Sequence, residues 1–318
     1  MQSYLTKRLL LIIPTLFLAS VLVFLMVRLV PGSVVDLMAM NGIKTGGGSI
    51  DTAQIKQDLG LTTPIPQAYA KWVGDILHGN LGTSLWTGRS IVDDIRGRLP
   101  VTMELGVMAF IISLIIAIPI GIYSALRQNS IGDLVGRSFA IVSLSVPAFW
   151  LGTMIMVFPA IWWNWSPPMK YIPLVQDPWG NFRQFFIPAL LTGLGMAGTL
   201  MRILRTSLLD VLRQDYIRTA WAKGLRERVV IIRHAMKNAM IPMVTVLSGS
   251  VGMIVGGVVI IEQIFALPGM GRLFLDAINQ RDYPYVQGLN MFFAIITLVV
   301  ILITDISYSY LDPRIRYK

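Results

Sequence analysis

Residues 101–126 read VTMELGVMAFIISLIIAIPIGIYSAL, a run of 26 residues whose only charged member, Glu104, lies near one end. A bilayer's hydrocarbon core takes about 20 predominantly apolar residues per helix, so this run is long enough to cross one. Five further segments qualify: Leu9–Val30, Leu134–Trp162, Ile187–Leu209, Ala239–Ile261 and Val286–Tyr310. The chain is therefore expected to be all-α and polytopic, with six transmembrane helices. Composition agrees. Hydrophobic residues make up 54% of the chain and charged residues 14%, against about 25% charged in ordinary soluble domains. The first run is too long for a signal-peptide core of about 7–15 residues, and it ends in Arg28-Leu29-Val30-Pro31-Gly32; it reads as an uncleaved first span.

Between the first two spans lies a polar segment, Pro31–Pro100. Gly46-Gly47-Gly48 marks a flexible tip, and Ile55–Leu61 and Gln67–Leu77 read as short amphipathic helices. The expected divisions are 1–94 (first span and external segment), 95–310 (the main membrane domain) and 311–318 (a cytoplasmic tail). Basic residues set the orientation. With both termini cytoplasmic, the inner side carries 16 basic and 6 acidic residues and the outer side 11 of each. The whole net charge of +10 then lies inside, the positive-inside pattern. A nucleic-acid role for that charge is thereby displaced.

Several chemistries are excluded or disfavoured. There is no cysteine, so disulfides, thiolate catalysis and sulfur-ligated zinc are out. His78 and His234, the only histidines, fall on opposite sides of the membrane in this topology, so a two-histidine metal site is not expected. Gly193-x-Gly195-x-x-Gly198 matches a dinucleotide fingerprint, but it lies inside an apolar helix with no preceding strand; helix packing explains it better. No Walker A sequence occurs. No charge stands near a helix centre, where an ion-coupled carrier would need one; Arg28, Glu104, Glu262 and Asp305 sit near helix ends. Gly249, Gly252, Gly256 and Gly257 allow close helix approach, either within the chain or towards a partner or pathway. Pro119, Pro147, Pro188 and Pro242 start or kink helices.

The longest inner connection holds Asp215-Tyr216-Ile217-Arg218-Thr219-Ala220-Trp221-Ala222-Lys223-Gly224. Asp215 reads as an N-cap and Gly224 as a left-handed stop, bounding a helix of about eight residues, roughly 12 Å long. Ile217, Ala220, Trp221 and Gly224 share a face by spacing. A helix this short is marginal alone; it docks either on its own bundle or on another protein.

This segment resembles the EAA loop of binding-protein-dependent ABC importer permeases, in the version of the dipeptide/oligopeptide/nickel branch. Arg218 stands at the usually acidic position and Trp221 departs from an expected basic residue. The likeness continues in Arg233-His234-Ala235-Met236-Lys237-Asn238-Ala239-Met240-Ile241-Pro242. It extends to Ile264-Phe265-x-x-Pro268-Gly269-Met270-Gly271-Arg272 with Arg281-Asp282-Tyr283-Pro284, to Asp58-Leu59-Gly60-Leu61, to Gly79-Asn80-Leu81-Gly82-x-Ser84, and to Leu311-Asp312-Pro313-Arg314-Ile315-Arg316.

The resemblance implies a type I ABC importer permease fold in a bacterial or archaeal cytoplasmic membrane, importing di- or oligopeptides, with glutathione or nickel as alternatives. It implies a second homologous permease, two ATPase subunits that hold the ATP and Mg, and an extracytoplasmic solute-binding protein; no cofactor is expected in this chain. Asp215–Gly224 would be the coupling helix that enters the ATPase. A charge at Ala220, on its apolar face, is expected to uncouple ATP hydrolysis from uptake. Phe265, Pro268, Gly269, Met270, Gly271, Arg272, Arg281, Asp282 and Tyr283 would form the outer gate, with Gly269-Met270-Gly271 as a turn. A stand-alone secondary carrier and a purely structural subunit are the rival classes.

Overall fold

The computed structural model describes residues 2–29 and 63–311. The expected helix at Ile55–Leu61, the triple-glycine tip and the C-terminal motif after Leu311 lie outside them. Among the described residues the fold is helical, with one isolated antiparallel bridge, Thr83 to Ser90. The helices are α1 (Gln2–Leu29), α2 (Ile65–Leu77), α3 (Ile91–Leu126), α4 (Ile131–Ser145), α5 (Ala148–Trp163), α6 (Pro178–Leu212), α7 (Asp215–Ala222), α8 (Met236–Gly257), α9 (Val259–Ile264), α10 (Met270–Asn279) and α11 (Tyr283–Leu311). A single turn, Glu227–Val229, and a π-helical stretch, Val230–Ala235, lead into α8.

Over the described residues, each of the six apolar segments lies on a helix or a helix pair. Among the described residues, four helical stretches are long and apolar enough to span: 91–126, 178–212, 227–247 and 283–304. The 36 residues of α3 extend about 54 Å, well beyond a core of about 30 Å.

The third expected span, Leu134–Trp162, is not one rod: α4 and α5 meet at 84°. Proline at 147 supplies no N–H, and it drives the preceding residue out of the helical region. Val146 is accordingly extended, with φ −92° and ψ 119°. The fifth span also breaks. Its helix α8 ends at Gly257, and after Val258 the chain resumes as α9, which runs to Ile264, three residues beyond the expected end at Ile261. The first segment lies on α1, 28 residues long, whose described apolar stretch is Leu10–Met26.

The chain divides into two compact units. The first holds Pro100–Arg272 and the end of α11 from Val299. Its larger core gathers Ala140, Leu200, Met201, Leu204, Leu208 and Met243; a second core joins Leu105, Phe185, Ala189, Ile261, Phe265 and Leu267. Small residues let its helices approach. A Cβ on Gly193 would stand 2.7 Å from the Ala109 carbonyl, and one on Gly198 would stand 3.0 Å from that of Ala140. Two glycines of the dinucleotide-like pattern thus serve helix packing.

The second unit contains α1 from Ser3, the segment up to Leu99, and Leu273–Leu298. In it α2 packs on α1: Tyr69 lies edge-on to Phe24 at 5.3 Å and shares a hydrogen bond with Ser20 at 2.7 Å.

Candidate functional site

The short helix α7 spans Asp215–Ala222, close to its expected bounds. Its start differs in detail. Gln214 is the cap residue, and no side-chain cap bond forms there. Asp215 is the first helical residue, where a carboxylate favours the positive end of the helix dipole. Gly224 adopts φ +72°, the left-handed stop expected of it, and its N–H donates to the Trp221 carbonyl at 2.9 Å.

The expected apolar face is divided. Ile217 and Ala220 are buried at 0% and 5% exposure, in the same core as Leu208 and Val230. They seat α7 on its own unit, against the end of α6 and the π-helical stretch. Burying an isoleucine contributes roughly 1.5–3 kcal/mol. Trp221 is turned about 100° from Ala220, far enough to be 45% exposed. Gly224 is exposed as well. The face open to a partner is therefore Asp215, Tyr216, Arg218, Thr219, Trp221, Ala222 and Lys223, and Ala220 is an anchor rather than part of it. The Asn238 amide holds Tyr216 by donating to its hydroxyl at 2.8 Å.

Behind α7 stands an ion pair that the charge pattern alone did not single out. Asp133, with no exposed surface, accepts from Arg205 Nε at 2.8 Å and from Nη2 at 2.9 Å. It also accepts from the Asn129 N–H at 3.0 Å, while the Ser130 hydroxyl caps the Asp133 N–H at 3.2 Å. Ser130-x-x-Asp133 has the form of a capping box, which was the legible signal. Arg205 lies on α6, ten residues before α7 begins, so the pair ties the helix that carries α7 to the start of α4.

The residues assigned to the outer connection fall into two arrangements. In the first unit, Glu262 is fully buried rather than reaching outward. It accepts from the Thr102 hydroxyl at 2.6 Å and from the Arg272 N–H at 3.0 Å; the Met270 N–H donates to Thr102 at 2.8 Å. Of the expected Gly269-Met270-Gly271 turn, Met270 and Gly271 are the first residues of α10, and Gly269 lies just before it. Space explains these glycines. A Cβ on Gly269 would run into the Glu262 carboxylate, and one on Gly271 would stand 2.7 Å from Val259 Cα. Phe265 is buried and Pro268 half-buried beside this cluster.

In the second unit, Asp282 is buried. It accepts from the Ser84 hydroxyl at 2.6 Å, and the Leu85 N–H reaches both of its oxygens at 3.2–3.3 Å. Burial pushes its carboxyl above the usual carboxylate range. Trp86 Nε1 donates to the Gln280 carbonyl at 3.0 Å, and the Tyr285 hydroxyl donates to Asp94. Arg281 takes φ +52°, turning the chain between Asn279 and Tyr283. The loop before α3 is thus fastened to the start of α11.

Gly249 is exposed, with nothing within 4 Å of a built Cβ. The surroundings of Gly252, Gly256 and Gly257 lie outside the described side chains.

Comparison with known proteins bears on the whole chain. Residues 117–317 match the family described as binding-protein-dependent transport system inner membrane component, and residues 1–106 match its N-terminal membrane-component family. The glutathione transport system permease protein GsiC of Pectobacterium atrosepticum is 37% identical over 318 residues, covering 100% of both chains. A putative peptide transport system permease protein of Brucella abortus (strain 2308) is 36% identical over the same length, again with 100% of both covered. Among solved structures, an amino acid ABC transporter crystallised with histidines gives a TM-score of 0.49 at 14% identity, over 70% of this chain and 94% of that one. The chain belongs to the family of inner-membrane components of binding-protein-dependent transport systems.

Proposed function

We propose that this chain is one of two permease subunits of an ATP-driven importer for peptides, including small ones of the glutathione type. Its similarity over full length to permeases named for peptide and glutathione transport supports that substrate class. ATP and Mg bind on two separate ATPase subunits, and an extracytoplasmic binding protein delivers the solute. Both termini and α7 face the cytoplasm, in line with the distribution of basic residues.

The observation that carries the coupling role is the division of α7. One side, Ile217 and Ala220, is fixed in the permease core; Tyr216 and Trp221 flank it on either edge, 42% and 45% exposed, and Asp215, Arg218, Thr219, Ala222 and Lys223 face away from it. A helix so built transmits force, because a push on its outer face moves the end of α6. The buried Asp133–Arg205 pair passes that displacement on to α4, and the Pro147 bend lets α4 move without carrying α5 along rigidly. At the other side of the membrane, the clusters around Glu262 and Asp282 hold the outer connection. The gate residues Phe265, Pro268, Gly269, Met270, Gly271, Arg272, Arg281, Asp282 and Tyr283 act there by rearranging these bonds.

The test is Trp221→Asp in the assembled transporter. Membrane insertion and subunit assembly are expected to persist, while ATP hydrolysis ceases to respond to the loaded binding protein and uptake falls. Normal uptake with normal assembly would count against the docking face. Identifying the ligand that co-purifies with the binding protein tests the peptide assignment separately.

A further inference from the structure

Five of the eight tryptophans in the chain fall between 150 and 179, and all five (Trp150, Trp162, Trp163, Trp165 and Trp179) are exposed. The last two flank a defined surface. On the first two turns of α6, Trp179, Phe182, Arg183 and Phe186 recur at i, i+3, i+4 and i+7, and all are exposed. Trp179 stacks on Phe182 at 5.7 Å, Phe182 lies 5.5 Å from Phe186, and the Arg183 guanidinium stands 4.9 Å over the Trp179 ring.

The opposite face of these turns explains why the surface keeps its shape. Gln184 is buried; its amide donates to the carbonyls of Pro168 at 2.9 Å and Lys170 at 3.0 Å, and its oxygen accepts from the Ile172 N–H at 3.0 Å. The buried Asn181 amide donates to the Ile172 carbonyl at 2.9 Å. The loop is thereby held against α6, leaving a groove of about 480 Å³ between Trp165–Pro168 and Phe182–Ile187.

Two requirements narrow the occupant. Left in water, this exposed aromatic surface is an interaction site by default. Placed in the hydrocarbon core, Arg183 would be costly, and it pairs with no carboxylate among the described residues. Asp177, the nearest acid in sequence, is turned to cap the Gly180 N–H at 2.9 Å. Only the membrane interface suits both halves, since tryptophan rings settle at headgroup level and an arginine near a helix end reaches its charge out to the headgroups. An anion beside an acyl chain fits the groove: guanidinium engages phosphate through paired N–H donors, and the aromatic wall takes the chain.

We propose that the groove between Trp165–Pro168 and Phe182–Ile187 is a phospholipid site, with the lipid phosphate on Arg183 and one acyl chain along Phe182 and Phe186. The probe is phosphatidylglycerol with a photoreactive acyl chain, reconstituted with the whole transporter and compared with diacylglycerol bearing the same chains. Cross-links are expected within residues 165–187, well above the diacylglycerol level. Arg183→Gln should lower them about tenfold, the loss of one charge-assisted pair, with Arg183→Lys in between. Equal capture of the two lipids, no change in Arg183→Gln, or no labelling because another subunit covers the groove would each overturn the proposal. Should Arg183→Gln fail to assemble, bromine-labelled phosphatidylglycerol decides. Quenching of Trp179, read as the difference between the unaltered transporter and Trp179→Phe, supports the site; its absence overturns it.

Discussion

Replacing Asp133 by asparagine isolates the charge of the pair behind α7, because the two side chains have nearly the same size. Asp133 gives both oxygens to Arg205 and shares one of them with the Asn129 N–H. Asparagine keeps one acceptor and turns the other into a donor that faces a donor, while Arg205 loses its counter-charge. Breaking a fully buried pair costs about 3–5 kcal/mol, and breaking a surface pair costs about 0–1 kcal/mol. The partners of this carboxylate lie between those limits: Arg205 is 16% exposed, and Arg137, 3.7 Å away, is 46% exposed. A cost of about 2–3 kcal/mol follows from interpolating between those two cases. At roughly 2–4 °C per kcal/mol for a chain of this order of size, the unfolding midpoint should drop by about 4–12 °C. The assay is thermal unfolding of the assembled transporter in lipid nanodiscs. The double change Asp133→Leu with Arg205→Met supplies the control. An apolar replacement of both partners is often neutral or stabilising, so its midpoint should stay close to that of the unaltered protein. An unshifted Asp133→Asn, or a double variant that falls as far as the single one, would refute the reasoning.

Three further outcomes are expected. Ala220→Asp buries an unpaired carboxylate in the seat of α7, at a cost on the order of 3 kcal/mol. The variant should reach the membrane in reduced amount and assemble poorly, as read by co-purification of the ATPase subunits, in contrast to the assembled but uncoupled Trp221→Asp. Gly269→Ala forces a methyl group into a Glu262 carboxylate that Thr102 and the Arg272 N–H hold in place; a midpoint loss corresponding to about 2–3 kcal/mol is expected, and Thr102→Ala together with Glu262→Gln should relieve part of it. For Asp282 the raised carboxyl affinity means that the folded loop binds the proton more readily than the unfolded chain. Its contribution is therefore fully present below the ordinary aspartate value and is lost as pH rises through the folded one. Protection of the Leu85 amide against hydrogen exchange, corrected for the intrinsic rate, should decline over that window, and Asp282→Asn should abolish the dependence.

Much of the architecture was open to reading because a bilayer imposes one simple rule on a long apolar run. Over the described residues all six segments lie on helices or helix pairs for that reason. Where the reading failed, the cause was local. Pro147 looked like one kink among several, but an extended Val146 turns it into an 84° corner. The break after Gly257 follows no hydropathy signal, since Val258 is as apolar as its neighbours. For α7 the spacing predicts a helix with one apolar side, and the observed helix starts one residue earlier, with Gln214 rather than Asp215 at its cap. Periodicity could not show where the centre of that side would fall; a rotation of some tens of degrees buries Ile217 and Ala220 and leaves Trp221 outside. The buried carboxylates were harder still. Glu262 and Asp282 read as end-of-helix or gate charges, because their partners, Thr102 and Ser84, lie 160 and 198 residues away. Gly269 and Gly271 suggested a turn, whereas close packing is what requires them.

The central claim is that the outer face of α7 meets the ATPase. Because the chain has no cysteine, a single one introduced at Thr219 or Trp221, with another as the sole cysteine of the ATPase, reports that contact without background from this chain. In membranes holding the whole transporter, a short thiol cross-linker should join the two subunits from Thr219→Cys and Trp221→Cys, but not from Ala220→Cys, which points into the permease core. Cross-linking from Ala220→Cys in an assembled transporter, or none from Thr219→Cys and Trp221→Cys with any of the ATPase cleft positions, would contradict the account.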